Sequence, residues 1–289
     1  MGNSSVSKDE NFQKRDKYSA VWVSHSSMGD FLKCPRLYYL HNVYKDPKTG
    51  RKMNIVAPPL SLGQAVHEVL EGLVRFKAEE RIKQPLLEHY EEAWSKVSGK
   101  KGGFMKKEEE KEAKERGKKM IERVIKNPGP LANKTIKLKD GGMLPNFYLS
   151  EEENIILCGK IDWLEYREED DSIRVLDFKT GRNEEKDDSL QLPIYILLLK
   201  ALQKRKISGA YYWYLDSEDT PRNIGLPDPG KSEKEVLSVA RKVKEAREKR
   251  NFKCPKGGCF GCEPYERILK GQAEHVGVGE YNQDLYMIK

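Results

Sequence analysis

Long hydrophobic runs are missing from this 289-residue chain. The longest, residues 194–199, falls far short of the ~20 apolar residues that a membrane-spanning helix needs. No basic, apolar and small-residue leader opens the chain. Met1-Gly2 is not followed by the Ser or Thr that myristoylation wants, because Val6 stands there. Cysteine is scarce, with five residues. The absence of a leader argues for the cytoplasm, where disulfides are rare. The Gly-x4-Gly-Lys-Ser/Thr pattern of a nucleotide-binding loop is absent, so any ATP-driven motor would be a separate partner. Internal repeats are also lacking.

Charge is plentiful: 34% of residues are charged, with a formal net charge of +7. Its distribution says more than its total. Residues 96–126 hold twelve Lys/Arg against six Glu, and residues 231–250 hold eight against four. Basic segments attract polyanions. The competing reading is a solvated helix, with Glu110/Lys114, Glu112/Arg116 and Glu115/Lys119 as i,i+4 pairs. The length suits one full core, or a core with a small accessory lobe.

Residues 1–20 are polar and aperiodic and read as a disordered arm. Residues 24–44 read as two short helices, the first capped by Ser26 or Ser27 and the second opened by Pro35. An amphipathic helix over residues 61–76 turns Leu62, Val66, Val69, Leu70 and Leu73 inward. Charged helical segments run to Ile125, and residues 127–130 break them. Strand-like runs follow at residues 134–138, 147–149, 155–166 and 173–179, then a helix over 189–204, an aromatic strand over 209–215 and a helix over 231–250. A cysteine-bearing loop occupies residues 252–264, and the polar tail from Gly271 carries no pattern. Helices first, then strands, then helix–strand–helix predict an α/β sheet wrapped by helices.

The chemistry centres on two apolar runs, residues 155–166 and 173–179, separated by an acidic turn. They read as an antiparallel hairpin. Folding between Glu169 and Asp170 makes Asp162 and Asp177 cross-strand partners, with Cβ atoms roughly 4.5–5.5 Å apart. Lys179 shares their face by the period-2 alternation of strands. Two hard oxygen ligands beside an ammonium suit Mg²⁺ or Mn²⁺ and a phosphate. Such charges in a buried sheet cost several kcal/mol unless paired or metal-bound. His67 on the amphipathic helix is a fitting third ligand, more so for Mn²⁺. Gln191 and Tyr195, four apart on the next helix, share one face and would hydrogen-bond a nucleic-acid backbone or the catalytic groups. Lys160 and Arg182 are candidates for phosphate contacts. The aromatic residues 211–214 read as sheet core rather than as a base-stacking platform.

Cys254, Cys259 and Cys262 form a C-x4-C-x2-C loop rich in glycine that wraps readily round a metal. Three ligands need a fourth, for which Cys34 is the good candidate, Cys158 reading as a small buried strand residue. Four thiolates allow a structural Zn²⁺ or an iron–sulfur cluster, and spacing does not choose. Either joins the chain's beginning to its end.

Cys34-Pro-Arg, Gly63-x3-His67, Gly159-Lys-Ile-Asp162, Asp177-Phe-Lys179-Thr-Gly181, Gln191-x3-Tyr195 and the cysteine trio stand in one order. That order resembles the RecB-type branch of the PD-(D/E)xK nucleases. It is most similar to members with an iron–sulfur cluster, such as the CRISPR-associated exonucleases and the nuclease domains of bacterial helicase–nucleases. The resemblance runs from about Ser26 to Glu263. Two departures stand out. The second acid is Asp177 rather than Glu, and the related exonucleases more usually space their cysteines C-x2-C-x5-C.

The resemblance implies a restriction-endonuclease-like mixed sheet flanked by helices, and a 4Fe–4S cluster on Cys34, Cys254, Cys259 and Cys262. It also implies a divalent metal on His67, Asp162, Asp177 and the Phe178 carbonyl, with Lys179 catalytic. The expected organisation is an arm (1–20), a helical lobe with the first cysteine and His67 (21–130), a nuclease core (131–250) and a cluster-binding loop and tail (251–289). The expected activity is a metal-dependent deoxyribonuclease, an exonuclease on ends or single strands, in CRISPR adaptation or DNA repair and recombination. The expected partners are DNA, with a CRISPR integrase complex or a helicase beside it and no membrane. Two alternatives are a catalytically weak subunit that grips DNA ends for a larger complex, and a zinc-stapled interaction protein.

Overall fold

The computed structural model describes residues 17–138 and 144–289. The arm expected over residues 1–20 therefore lies, for residues 1–16, outside the described residues. Along the chain run β1 (Val21–Val23), α1 (His25–Lys33), α2 (Pro35–Tyr38), β2 (Met53–Ile55), α3 (Pro58–Gly72), α4 (Ala78–Arg81), α5 (Leu86–Lys96) and α6 (Lys107–Lys126). Then come β3 (Asn146–Ser150), β4 (Ile155–Cys158), β5 (Trp163–Arg167), β6 (Ser172–Lys179), α7 (Gln191–Leu202) and β7 (Lys206–Tyr214). The last elements are β8 (Arg222–Asn223), α8 (Pro229–Glu248), α9 (Glu263–Leu269), β9 (Ala273–Val278) and β10 (Asp284–Ile288). No helix of the described residues is long and apolar enough to cross a membrane.

The strands form three sheets, ordered β1-β4-β3, β2-β10-β9 and β5-β6-β7-β8. In the last, β5 and β6 pair antiparallel with Trp163 opposite Leu176 and Arg167 opposite Ser172, which is the register of a fold between Glu169 and Asp170. β7 then pairs parallel to β6 after the α7 crossover. Alternation splits this sheet into two faces. Leu164, Ile173, Val175 and Ala210 pack with α7 and α8. Trp163, Leu176, Phe178 and Trp213 pack with α3, α5 and α6. The mixed α/β class with flanking helices is thus present.

Local chemistry explains most element boundaries. Ser24 caps α1 through a capping box with Ser27, so the cap stands two or three residues before the expected Ser26 or Ser27. Pro35 opens α2, where its missing N–H costs nothing. Leu62, Val66, Val69, Leu70 and Leu73 are all buried, as the helical period requires. α7 is apolar nearly all round and seven of its twelve residues are buried, as befits a helix enclosed by other elements. Pro193 falls in its first turn.

Four expectations change. Residues 155–166 are two strands in two sheets rather than one strand: the chain leaves β4 at Gly159, which packs against α7, and bends at Asp162 before β5. A Cβ on Gly159 would lie 3.0 Å from Leu198 Cδ1. Residues 134–138 make only one bridge, Thr135 with Glu165. The featureless tail holds β9 and β10. The basic segment also pairs differently: Lys114 with Glu91 and Arg116 with Asp216 tie α6 to neighbouring elements, and the i,i+4 pair along it is Lys118 with Glu122 rather than those expected.

Candidate active site

β5 and β6 deliver Asp162 and Asp177 to one end of the sheet, and α3 crosses that end. Asp162 precedes β5 by one residue, and its Oδ2 accepts a hydrogen bond from the Phe178 amide at 2.9 Å. His67, halfway along α3, turns Nδ1 toward Asp162 Oδ2 at 3.4 Å and Glu71 Oε1 at 3.2 Å. Its Nε2 lies 3.1 Å from the Phe178 carbonyl oxygen. His67, Glu71 and Asp162 each offer a ligand atom within 4.8 Å of the others. An imidazole, two carboxylates and a carbonyl form a donor set that fits a divalent cation of the Mg²⁺ or Mn²⁺ type.

The Asp177 carboxylate, expected in the same ligand set, neighbours Asp162 but is not among the donor atoms gathered within 4.8 Å. Its Oδ1 accepts from Gln191 Nε2 at 2.6 Å and from the Tyr195 hydroxyl at 3.0 Å, and its Oδ2 pairs with Lys179 Nζ at 2.9 Å. Lys179 also pairs with Glu185 Oε2 at 2.9 Å, donates to Gln191 Oε1 and lies over the Tyr212 ring, 4.6 Å from its centroid. The shared face of Asp177 and Lys179 and the shared face of Gln191 and Tyr195 meet across the start of α7.

The charge state of the site's side chains follows from this crowding. Burial alone would keep the His67 imidazole neutral, but the charges and hydrogen bonds of Asp162 and Glu71 outweigh it and push its pKa up to about 10. Burial is likewise outweighed at Asp162, whose pKa His67 holds below the usual carboxylate range. Asp177 goes the other way. Burial first, and then the neighbouring Asp162 charge, raise it to about 7. Asp177 is only 2% exposed. The site thus has more carboxylate than its own cations neutralise, which is the condition a bound divalent ion relieves.

Of the two candidate phosphate contacts, Lys160 reaches the site and pairs with Glu71. Arg182 lies apart, on a cleft with Arg116 and Asp216 against α6. Glu71 and Glu185 escaped the sequence reading. Glu71 stands four residues after His67, so the helical period could have found it. Glu185 lies in a polar loop whose pattern offers no signal.

The second cluster sits at the far end of α1. The sulfurs of Cys34, Cys254, Cys259 and Cys262 lie within 4.8 Å of one another, although Cys34 is more than 200 residues from the rest. Cys34 precedes α2, and Cys262 precedes α9. Hydrogen bonding from the Cys262 backbone lowers the Cys259 thiol to about 7, whereas burial raises Cys34 and pushes Cys262 up to about 12. Four sulfurs so gathered fit a structural metal centre, Zn²⁺ or an iron–sulfur cluster, which would bind them as thiolates. Leu37, Leu40, Met53, Tyr265 and Ile268 pack round them. Cys158 is separate, donating weakly to the Val23 carbonyl.

No curated protein matches this chain. A family model described as the PD-(D/E)XK nuclease superfamily matches residues 22–267, a span that contains both the acid–lysine site and all four clustered cysteines. The chain therefore belongs to the PD-(D/E)XK nuclease superfamily, whose members are typically metal-dependent nucleases.

Proposed function

We propose that this protein is a divalent-metal-dependent deoxyribonuclease of the RecB type, an exonuclease working on DNA ends or single strands. The observation that carries the reading is the convergence of Asp162, Asp177, Lys179 and His67 at one sheet end, two of them hydrogen-bonded to Gln191 of α7. His67, Asp162, Glu71 and the Phe178 carbonyl would hold the cation, and Asp177, a ligand by the resemblance, would join them from beside Asp162. The ion, when bound, supplies Lewis-acid activation of water and of the scissile phosphate. Lys179 orients the attacking water and offsets charge on the phosphorane-like transition state. Gln191 and Tyr195 fix the Asp177 carboxylate and the Lys179 amine, and Lys160 contacts backbone phosphate. Arg182 contacts phosphate farther along the strand.

The reading keeps a helical lobe at 21–130, a nuclease core at 131–250 and a cluster-binding segment at 251–289. The cysteines hold a structural 4Fe–4S cluster, with Zn²⁺ as the alternative. Anaerobic purification separates these, since the cluster protein is brown and the zinc protein colourless. The reading places the protein in the cytoplasm, and its resemblance names the partners to test first: an integrase complex of CRISPR adaptation, or a helicase of repair and recombination.

The test compares wild type with Lys179→Ala on labelled single- and double-stranded DNA in Mg²⁺, Mn²⁺ or EDTA. Cleavage by wild type with either ion, a loss of about 10²–10⁴-fold in the variant and none in EDTA is the expected result. Cleavage that survives both the substitution and the chelator overturns the mechanism. Metal-independent binding without cleavage identifies an end-gripping subunit instead.

A further inference from the structure

The hairpin of β9 and β10 ends in an exposed aromatic at the mouth of the acid–histidine site. Gly279 N–H donates to the Gln283 carbonyl at 2.9 Å and Asn282 N–H to the Gly279 carbonyl at 3.0 Å, closing a tight turn with Asn282 in the left-handed region at φ 56°. Tyr281 stands at the tip and is 84% exposed. It borders a cleft of about 720 Å³ that is also lined by His67, Glu71, Lys96, Lys101 and Lys160. Of the clefts described, this is the one that reaches His67 and Glu71.

The tip is held rather than loose. Asp284, 1% exposed, accepts from Thr49 Oγ1 at 2.6 Å and from Arg51 Nη1 at 3.3 Å. Arg51 Nε also donates to Asn282 Oδ1 at 2.9 Å. β10 pairs parallel with β2, the strand that leads into α3. One rigid connection thus joins Tyr281 to the helix that carries His67 and Glu71.

We infer that Tyr281 is a stacking post for an unpaired base of single-stranded DNA whose backbone runs over Lys96, Lys101 and Lys160 toward the His67 centre. The inference deepens the nuclease reading and rests on it for the identity of the strand. Three features of the surface argue for it. An exposed ring on a fixed turn gains little in the free protein, yet it presents a π-face at small ordering cost, and every base has a π-face. Lys96 pairs with Glu68 and Lys160 with Glu71, but with Arg75 and Lys101 the four cationic side chains of the cleft still outnumber Glu68, Glu71 and Glu280, and supply sequence-independent attraction to phosphate. In the cleft beside α8, by contrast, six acidic side chains, Glu184, Glu185, Asp187 and Asp188 among them, outnumber Lys186, Arg222, Lys231 and Lys234, so a polyanion is less favoured there. Stacking needs an unpaired base, so Tyr281 selects frayed ends and single strands over intact duplex.

The experiment measures binding of a fluorescent 20-nucleotide single strand and of a blunt duplex in EDTA, where cleavage is silent. Wild type is compared with Tyr281→Ala and Tyr281→Phe. Tyr281→Ala should weaken single-strand binding by about tenfold, Tyr281→Phe should bind as wild type does, and duplex binding should not move. Because Tyr281 is exposed, neither variant threatens folding, and an unchanged melting temperature checks this. Equal single-strand affinity in all three proteins overturns the inference, as does an equal loss on duplex. Failure here leaves metal-dependent cleavage by wild type intact. Conversely, a Tyr281-dependent affinity in a protein that never cleaves sinks the nuclease reading and upholds the stacking post.

Discussion

Glu71 faces His67 and Lys160 at once, so one carboxylate balances two cationic side chains beside Asp162. Glu71→Gln removes that charge while keeping the shape. Its apparent Mn²⁺ affinity should fall by about 10–100-fold, read as a shift in the Mn²⁺ dependence of the cleavage rate. An unshifted curve excludes Glu71 from the donor set. Protons compete for the same places. To receive a cation, Asp177 must lose the proton it holds up to about pH 7, and His67 must lose one held up to about pH 10. Both losses accompany binding, so Mn²⁺ affinity should rise from about pH 6 to about pH 8, measured by titration at each pH. A flat or falling profile contradicts this donor assignment.

At the scale of elements, two contacts hold the helices against the sheet. Arg81 on α4 is 3% exposed and donates to the carbonyls of Leu73, Phe76, Leu131 and Asn133, with its guanidinium 4.9 Å from the Trp163 ring centroid. Arg81→Met fills the space but orphans several carbonyls, and should cost about 2–4 kcal/mol in urea unfolding. Gly117 on α6 faces the buried Tyr90, whose hydroxyl would lie 2.2 Å from an added Cβ. Helix propensity alone favours Gly117→Ala by about 1 kcal/mol. The clash should reverse that sign and destabilise by about 1–3 kcal/mol, and Tyr90→Phe in the same chain should restore part of it.

The elements also mark where sequence was readable. The hairpin register followed from apolar runs on either side of an acidic turn, and the buried stripe of α3 followed from a clean helical period. Both are local patterns. The break between β4 and β5 was hidden because apolar residues flank it on both sides and the side chain packed on Gly159, Leu198 of α7, lies far along the chain. β9 and β10 were hidden because Ala273–Val278 is polar and half-exposed, with no alternation to betray a strand. The α6 ion pairs misled because partners on α5 and near β7 outcompeted the i,i+4 neighbours. At the site, the residues with a period behind them were legible, whereas Glu185 reaches Lys179 only through the path of a loop.

At the scale of the molecule, a metal centre on the cysteine group would fasten Cys34 to Cys254, Cys259 and Cys262 across most of the chain. A cross-link of such length removes ~4 kcal/mol or more of unfolded-state freedom on the loop-closure scale. Cys34→Ser and Cys262→Ser should therefore each lower the melting temperature by about 10 °C and abolish stoichiometric zinc or iron in metal analysis. Full metal content in either variant excludes that cysteine as a ligand. β10 ties the same regions a second time, lying between β2 and β9 in its sheet.

That strand order has a consequence for how the protein is made. On the ribosome, Asp162, Asp177 and Lys179 emerge and their hairpin can close while β10 is still unsynthesised. β2, on the threshold of α3, waits for residues 284–288 before it finds its neighbour. The four thiols likewise cannot meet until Cys262 has left the exit tunnel. Translation thus delivers the acidic half of the centre first and steadies the histidine half last, so an interrupted polypeptide carries the carboxylates without the braced helix that faces them.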